Sequence, residues 1–129
     1  MKRKQKEVAM FYFLDLGNDQ IVAARVEGKL THADYAEHLM PRLEAAIKKH
    51  GKVRFYLDLK GFEGWEWQAA WDDFKTGVTH RHDIEKIALL GDHQWEEWAS
   101  KIFGLMMDGQ MKFFPREQAE VARAWITSS

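Results

Sequence analysis

Two short and almost continuously apolar segments, Val53–Leu59 and Ile84–Leu90, constrain the fold of this chain more than any other feature. Each has the length of a β-strand and is bounded by glycine or charged residues. Strands that are apolar on both faces are typical of the interior of a parallel sheet that helices cover. We therefore predict that these two segments are adjacent, central and parallel strands.

Further strands are predicted on both sides of this pair. Val8–Leu16 and Ile21–Glu27 are rich in apolar and aromatic residues, and the turn-forming segment Gly17–Gln20 separates them. So short a link predicts an antiparallel hairpin. Gly28 is expected to end the second strand, and Met111–Phe114 is expected to form a short fifth strand.

The first predicted helix follows Thr31, which is placed as its N-cap. Its apolar residues are spaced to bury one face. Pro41 lies inside the pattern and should kink or divide the helix near Met40. Basic residues followed by Gly51 predict the end of the helix.

Three more helices are predicted, from Trp65 to about Thr79, from about Gln94 to Phe103, and from Pro115 to about Thr127. Loops are expected at Gly61–Gly64 and Gly104–Gln110. The element order is then β-β-α-β-α-β-α-β-α. This order predicts an α/β fold with a single open mixed sheet of about five strands, four helices and only the first strand antiparallel. Residues 8–129 would form one domain behind a basic N-terminal tail, residues 1–7.

Composition excludes several classes of function. A net charge of −1 provides no strong field for nucleic acid, so no nucleic-acid partner is expected. The absence of Cys excludes disulfides, thiolate metal sites and Cys nucleophiles. No apolar run approaches the roughly 18 residues of a membrane span, and no signal peptide opens the chain. A cytoplasmic location is the expectation.

Bulky aromatic residues are concentrated after the third and fourth predicted strands. Trp67, Trp71 and Phe74 share one helical stripe, whereas Trp65 lies about 200° around the helix from Trp67, so the two cannot both face the sheet. Ligands of such sheets lie beyond the C-terminal ends of the strands. The candidate ligand contacts are Trp65, Trp67, Trp71, Phe74, Trp95 and Trp98, with Leu105 and Met106 as mobile apolar cover.

Two interpretations of these stripes remain open, and they are compatible. The aromatic residues can be core side chains packed on the sheet, or part of the cluster can line a ligand pocket or meet a lipid surface. Glu66, Asp72, Asp73, Glu96 and Glu97 make these helices acidic, whereas helices that seek membrane surfaces are basic. An enclosed pocket is therefore favoured over stable adsorption to a membrane, with Gly61, Gly64 and the loop from Gly104 to Gly109 as its hinges.

The sequence predicts no enzyme, no cofactor and no metal site. Gly61-x-x-Gly64 is neither a dinucleotide fingerprint nor a phosphate-binding loop, and no Ser lies in a nucleophile elbow. His80, His82 and Asp83 follow a helix, His93 comes just before the next one, and spacing fixes no further ligand, which is typical of polar helix ends. Asp58 and Asp92 are placed at strand ends, where turn formation is a commoner role than acid–base catalysis.

The chain resembles the SpoIIAA-like family. The resemblance is carried by the joint spacing of several short motifs over about residues 11–126: Gly28-Lys29-Leu30-Thr31, Asp34-Tyr35, Pro41, Gly64-Trp65, Trp71, Arg81-His82, Gly91-Asp92 and Trp95. This family is similar in fold to STAS domains and to the lipid-binding domain of CRAL-TRIO proteins. The resemblance implies a small bacterial cytosolic protein with a proposed role in binding apolar ligands or associating reversibly with membranes.

The sequence departs from the STAS antagonists in one respect. Those proteins are controlled by a phosphorylated Ser or Thr at the start of the helix after the third strand, and this chain has no Ser, Thr or Tyr between Asp58 and Phe74. We therefore expect a non-enzymatic binding protein for an apolar or amphipathic, lipid-like small molecule. The alternative is a STAS-like interaction module without that switch, which uses the same helices against a protein partner or, as a homodimer, against a second copy.

Overall fold

In a computed structural model of the chain, the described residues are 10–30, 33, 35–65, 83–97 and 110–128. They contain a five-stranded sheet whose strands lie side by side in chain order. The strands are β1 (Met10–Leu14), β2 (Ile21–Leu30), β3 (Val53–Trp65), β4 (Ile84–Gly91) and β5 (Gln110–Pro115).

The predicted arrangement of the strands is confirmed. β1 and β2 form an antiparallel hairpin, and every other neighbouring pair is parallel. β3 lies at the centre of the sheet beside β4, with Val53 opposite Ile84 and Asp58 opposite Leu90. The two predominantly apolar strands thus take the positions that helices and neighbouring strands can cover on all sides.

In contrast to the prediction, neither β2 nor β3 ends at its glycines, and β1 ends at Leu14 rather than Leu16. β2 continues through Gly28 to Leu30, and β3 continues through Gly61 and Gly64 to Trp65. The last residues of the two strands pair with each other, with Leu30 opposite Trp65. β3 pairs with β4 only as far as Asp58, so this extension of β2 and β3 runs past the end of β4.

Close packing between strands explains Gly61. A Cβ atom on this residue would lie 2.8 Å from the Glu27 Cγ and 3.1 Å from the Glu27 Cβ. The register of β2 against β3 shifts between Arg25 and Glu27, directly beside this contact. Glycine is therefore required here for the approach of two strands, which is one of its known roles inside a sheet.

The helix after β2 is divided where Pro41 predicts. Tyr35–Leu39 forms a π-helical turn, and helix α1 begins at Met40 and ends at His50, with Pro41 in its first turn. Proline is tolerated there because the first N–H groups of a helix have no partner inside it. Gly51 follows with a φ of 84°, and its N–H donates to the carbonyl of Ile47 at 2.7 Å.

The described residues contain two α-helices, α1 and α2 (Ala119–Thr127), rather than the four predicted. The helix predicted from Trp65 is wrong at its start, since Trp65 ends β3, and its remaining residues lie outside the described part. The helix predicted from Gln94 begins instead as a 3-10 turn, His93–Trp95, and residues 98–103 are likewise outside. α2 follows Pro115 through another 3-10 turn, Arg116–Gln118.

Side chains alternate between two apolar layers on the two faces of the sheet. The α1 face buries Phe55, Leu57 and Leu89 together with Leu43 of the helix. The α2 face buries Tyr56, Ala88 and Leu90 of the sheet, and Ala122 and Ile126 of the helix. α2 contacts β3, β4 and β5, so on its face it covers the half of the sheet that these three strands form.

Two cations are buried under the end of α2. Arg54 and Lys86 are each 8% exposed, and the Arg54 Nε lies 3.3 Å from the Oε1 of Glu85, which precedes Lys86 in β4. Burial lowers the pKa of Lys86, and the nearby Arg54 charge acts in the same direction. Both cations also bond carbonyl oxygens at the C-terminal end of α2, which a helix leaves without internal donors.

Candidate functional site

The candidate site lies at the carboxyl ends of β3 and β4, where the described chain places Trp95. This half-buried residue packs against the core on the α1 face. Its ring centroid lies 4.8 Å from that of Phe62, with the two planes tilted by 47°. Such a tilted pair is a favourable aromatic arrangement.

Two glycines allow Trp95 to lie across the strand ends. A Cβ atom on Gly91 would lie 3.6 Å from the Trp95 Cδ1 and 3.3 Å from the Leu59 Cβ. A Cβ atom on Gly64 would lie 3.7 Å from the Trp95 Cη2. The indole therefore spans the distance from the end of β4 to the end of β3, and the φ of 110° at Gly64 is one that favours glycine.

The structure describes only part of the predicted aromatic cluster. Trp95 is at the predicted edge of the sheet, in contact with Phe62. Trp65 is placed by its backbone at the end of β3. The other candidate contacts lie outside the described residues, and they are Trp67, Trp71, Phe74, Trp98, Leu105 and Met106. Their assignment stays a prediction.

On the α2 face of the same edge, an ion-pair network joins three strands. The Arg116 Nη2 lies 2.9 Å from the Asp58 Oδ1, and the Arg116 Nε lies 3.7 Å from the Asp92 Oδ1. The Asp58 Oδ1 also accepts a hydrogen bond from the Lys60 N–H at 3.0 Å. Asp58 lies inside β3 rather than at its end, and these bonds give it a structural role, connecting β3 to the start of the α2 segment.

Arg116 is not among the residues predicted from the sequence. The available signal was its position directly after Pro115, which ends β5 beside Gly91. Because parallel strands present their carboxyl ends at the same edge, a charged residue at the end of β5 meets those of β3 and β4. A guanidinium can bridge two carboxylates, since its donors point in several directions.

His93 lies near this edge beside an acidic residue. The His93 Nδ1 lies 3.5 Å from the Glu96 Oε1, and both side chains are largely exposed. Among residues 10–30, 33, 35–65, 83–97 and 110–128, no group of three potential ligands converges. His80 and His82 are outside those ranges. Within the same ranges, no helix is long and apolar enough to cross a membrane.

Comparisons with known proteins agree on one family. The sequence model of the SpoIIAA-like family matches residues 21–127. The chain is also similar to a crystal structure from Shewanella loihica PV-4, an uncharacterized protein of the DUF3478 family with a SpoIIAA-like fold. The identity is 31% and the TM-score is 0.66, over 92% of this chain and 93% of the other. No curated protein matches the sequence.

Proposed function

The chain belongs to the SpoIIAA-like family, and from this premise we propose that it is a non-enzymatic binding protein for an apolar or amphipathic, lipid-like small molecule. The observation that carries the proposal is the position of Trp95. Its indole lies half-buried across the ends of β3 and β4, in contact with Phe62. This is the edge at which ligands of open, largely parallel sheets bind.

By their positions in the sequence, further aromatic residues belong to the proposed site. Trp67, Trp71 and Phe74 follow β3 along the chain, and Trp98 follows the turn that holds Trp95. Aromatic rings offer a large contact area with little rotamer entropy to lose on binding. Leu105 and Met106 complete the proposed apolar lining.

A non-catalytic role fits the charged groups of this edge. Asp58 is held in an ion pair with Arg116, and its Oδ1 also accepts a hydrogen bond from the Lys60 N–H. These contacts give the carboxylate a structural role that needs no substrate. The network is better suited to holding β3, β4 and β5 together around a binding site.

The test uses oleate as an apolar probe. Oleate should change the Trp fluorescence of the protein saturably and raise its melting temperature, because a ligand that binds only the native state stabilises it. Trp71→Phe should weaken the binding. The matched control is Trp125→Phe. Trp125 packs on Phe114 on the α2 face of the sheet, with the two ring centroids 5.9 Å apart.

Trp71→Ala then separates a pocket from a core. A truncated core Trp costs roughly 3–5 kcal/mol of unfolding free energy. A folded variant that has lost oleate binding supports the pocket. Severe destabilisation, combined with no oleate response in the parent protein, would refute the proposed ligand function.

A second candidate is an interaction module of the STAS type without its phosphorylatable side chain. The supporting observation is β1, which forms one edge of the sheet in the described part of the chain. Its five residues carry no charge, and Tyr12 and Leu14 are 37% and 38% exposed. Apolar edge strands pair readily with other chains. Sedimentation analysis of the protein and of Leu14→Lys tests this candidate, which predicts an oligomer that the substitution dissociates.

A further inference from the structure

A groove of about 470 Å³ lies between the β1–β2 hairpin and α1. It is at the amino end of β2, whose Ile21 is level with Arg54, near the start of β3. The aromatic edge around Trp95 is at the opposite end of the parallel strands. The groove is therefore separate from the site proposed above, and it falls in the size range of small-molecule pockets, roughly 300–1,000 Å³.

Small residues on α1 create the space. The helix presents Arg42, Ala45, Ala46 and Lys49 to the groove, spaced i, i+3, i+4 and i+7 along one face. The two alanines extend no further than Cβ. Phe13 and Val22 contribute to the wall that the sheet provides.

Ion pairs hold the hairpin turn against the end of the helix. The Lys49 Nζ lies 2.6 Å from the Asp19 Oδ2, and the His50 Nε2 lies 2.8 Å from the Asp19 Oδ1. The hydrogen bond from Lys49 holds the pKa of Asp19 below its usual value, so this carboxylate stays ionised. The amide of Gln20 also donates to the Lys52 carbonyl at 2.8 Å. The charge of Lys49, which lines the groove, is thus neutralised by Asp19.

Arg42 provides the remaining cation. Its guanidinium carbon lies 4.1 Å from the centre of the Phe13 ring. Within the described part of the chain, no carboxylate lies within ion-pair distance of Arg42, and the groove acid Asp15 accepts instead from the Gly17 N–H at 2.8 Å. A guanidinium stacked by its face keeps the N–H donors of its edge available for an anion.

We propose that this groove binds an amphipathic organic carboxylate. The carboxylate would pair with Arg42, and the apolar body would lie along Phe13, Ala45 and Ala46. The groove lining holds two carboxylates, Asp15 and Asp19, and two cations, Arg42 and Lys49, so the selectivity for an anion depends on Arg42 alone, the cation without a carboxylate partner among the described residues. This proposal is independent of the aromatic site, which lies beyond the other end of the sheet.

The test compares decanoate with decanol by calorimetric titration. Decanoate should bind the parent protein more tightly than decanol. Arg42→Met keeps an apolar stem on Phe13 and removes the charge, so it should weaken decanoate binding by about tenfold, the equivalent of one charge-assisted hydrogen bond. The affinity for decanol should not change. Lys48→Met is the matched control, because Lys48 is an exposed basic residue of α1 outside the groove lining.

A second variant tests whether decanoate binds in the groove by filling the groove with a larger side chain. Ala45 is exposed, so Ala45→Leu should fold normally, as judged by circular dichroism and melting temperature, while it fills the groove. It should remove the amide shifts that decanoate causes in β1, β2 and α1 of the parent, whereas shifts around Trp95 would report binding at the aromatic edge. The proposal is overturned if decanoate causes no shifts in β1, β2 and α1, if Arg42→Met behaves as Lys48→Met, or if Ala45→Leu keeps those shifts. Loss of binding only in Trp71→Phe would overturn it and support the aromatic site instead.

Discussion

Arg54 Nη1 donates a hydrogen bond to the carbonyl oxygen of Ile126, 2.9 Å away and 72 residues later in the chain. The same guanidinium bonds the carbonyl of Ser128, and the Lys86 Nζ donates to the Trp125 carbonyl at 3.2 Å and the Ser128 Oγ at 3.1 Å. Two buried cations thus satisfy carbonyl groups at the C-terminal end of α2. Both cations also lie at the negative end of the α2 dipole, which stabilises positive charge. These two interactions explain how the charges are accommodated on an otherwise apolar sheet.

Arg54→Met should lower the free energy of unfolding by about 2 kcal/mol or more. The substitution removes charged hydrogen bonds and takes the donor away from the buried Ile126 carbonyl oxygen, whereas the Ser128 carbonyl keeps Lys86 as a donor. Urea unfolding followed by circular dichroism measures the change. The matched control is Arg123→Met, because Arg123 is an exposed residue of α2, and it should change stability by less than about 0.5 kcal/mol. Equal effects of the two substitutions would contradict the structural role of Arg54.

Tyr56 should make stability depend on pH in the alkaline range. Burial, and next the nearby Asp58 charge, raise the pKa of Tyr56 above its usual value of 10.0. Between pH 10.0 and this raised pKa, the native state holds a proton that the unfolded state has lost, so stability falls as pH rises. The unfolding free energy of the parent minus that of Tyr56→Phe should therefore decrease above pH 10.0.

The stability of Tyr56→Phe is subtracted because the titration of Lys86 changes the free energy of unfolding in the opposite direction. Burial lowers the pKa of Lys86, so between that lowered pKa and 10.5 the unfolded state holds a proton that the native state has lost, and stability rises with pH. Both proteins contain Lys86, and its contribution cancels. Phenolate absorbance gives an independent check, since a late-titrating component should be present in the parent and in Tyr12→Phe but missing from Tyr56→Phe. A pH-independent difference between parent and Tyr56→Phe would refute the assignment.

Gly61→Ala should destabilise the protein by about 1–3 kcal/mol, the usual cost of inserting an atom into a close-packed site. The new Cβ would meet the Glu27 Cγ at 2.8 Å and the Glu27 Cα at 3.4 Å, which pushes β2 and β3 apart beside the register shift. Thermal unfolding measures the effect. Glu27→Ala removes the nearest atom, so the double variant should recover part of the lost stability. Strict additivity of the two changes would show that the strands do not approach this closely.

We expect no phosphoryl switch after the third strand. The chain has no Ser, Thr or Tyr between Asp58 and Phe74, the region that carries the switch in STAS antagonists. Incubation with an anti-sigma-factor kinase and ATP should leave the mass of the protein unchanged. A phosphate mapped by tandem mass spectrometry to this region, on Asp58 for example, would disprove the expectation.

The hydrophobic pattern alone predicted most of the sheet. A continuous apolar run identifies a strand buried on both faces, and this placed Val53–Leu59 and Ile84–Leu90 side by side at the centre, as the structure confirms. Local backbone chemistry was equally informative for α1. Pro41 fits only the first turn of a helix, and Gly51 supplies the positive φ at which the helix ends. These features depend on neighbours in the chain, so the sequence is sufficient to predict them.

Contacts between distant segments decided the rest. Gly61 and Gly64 are loop formers by composition, but they belong to β3 because β2 and Trp95 approach the backbone there. Arg54 pairs with Glu85 of the neighbouring strand, but the carbonyl groups that make the burial of Arg54 and Lys86 tolerable come from α2, which is distant in the chain. The groove beside Arg42 likewise needs the hairpin to face α1. The sequence by itself determined the order of the strands and the place of the core, since side-chain periodicity is local. The tertiary structure decided the strand ends, the ion pairs and the groove, because each depends on the distance between atoms from segments that meet only in the folded chain.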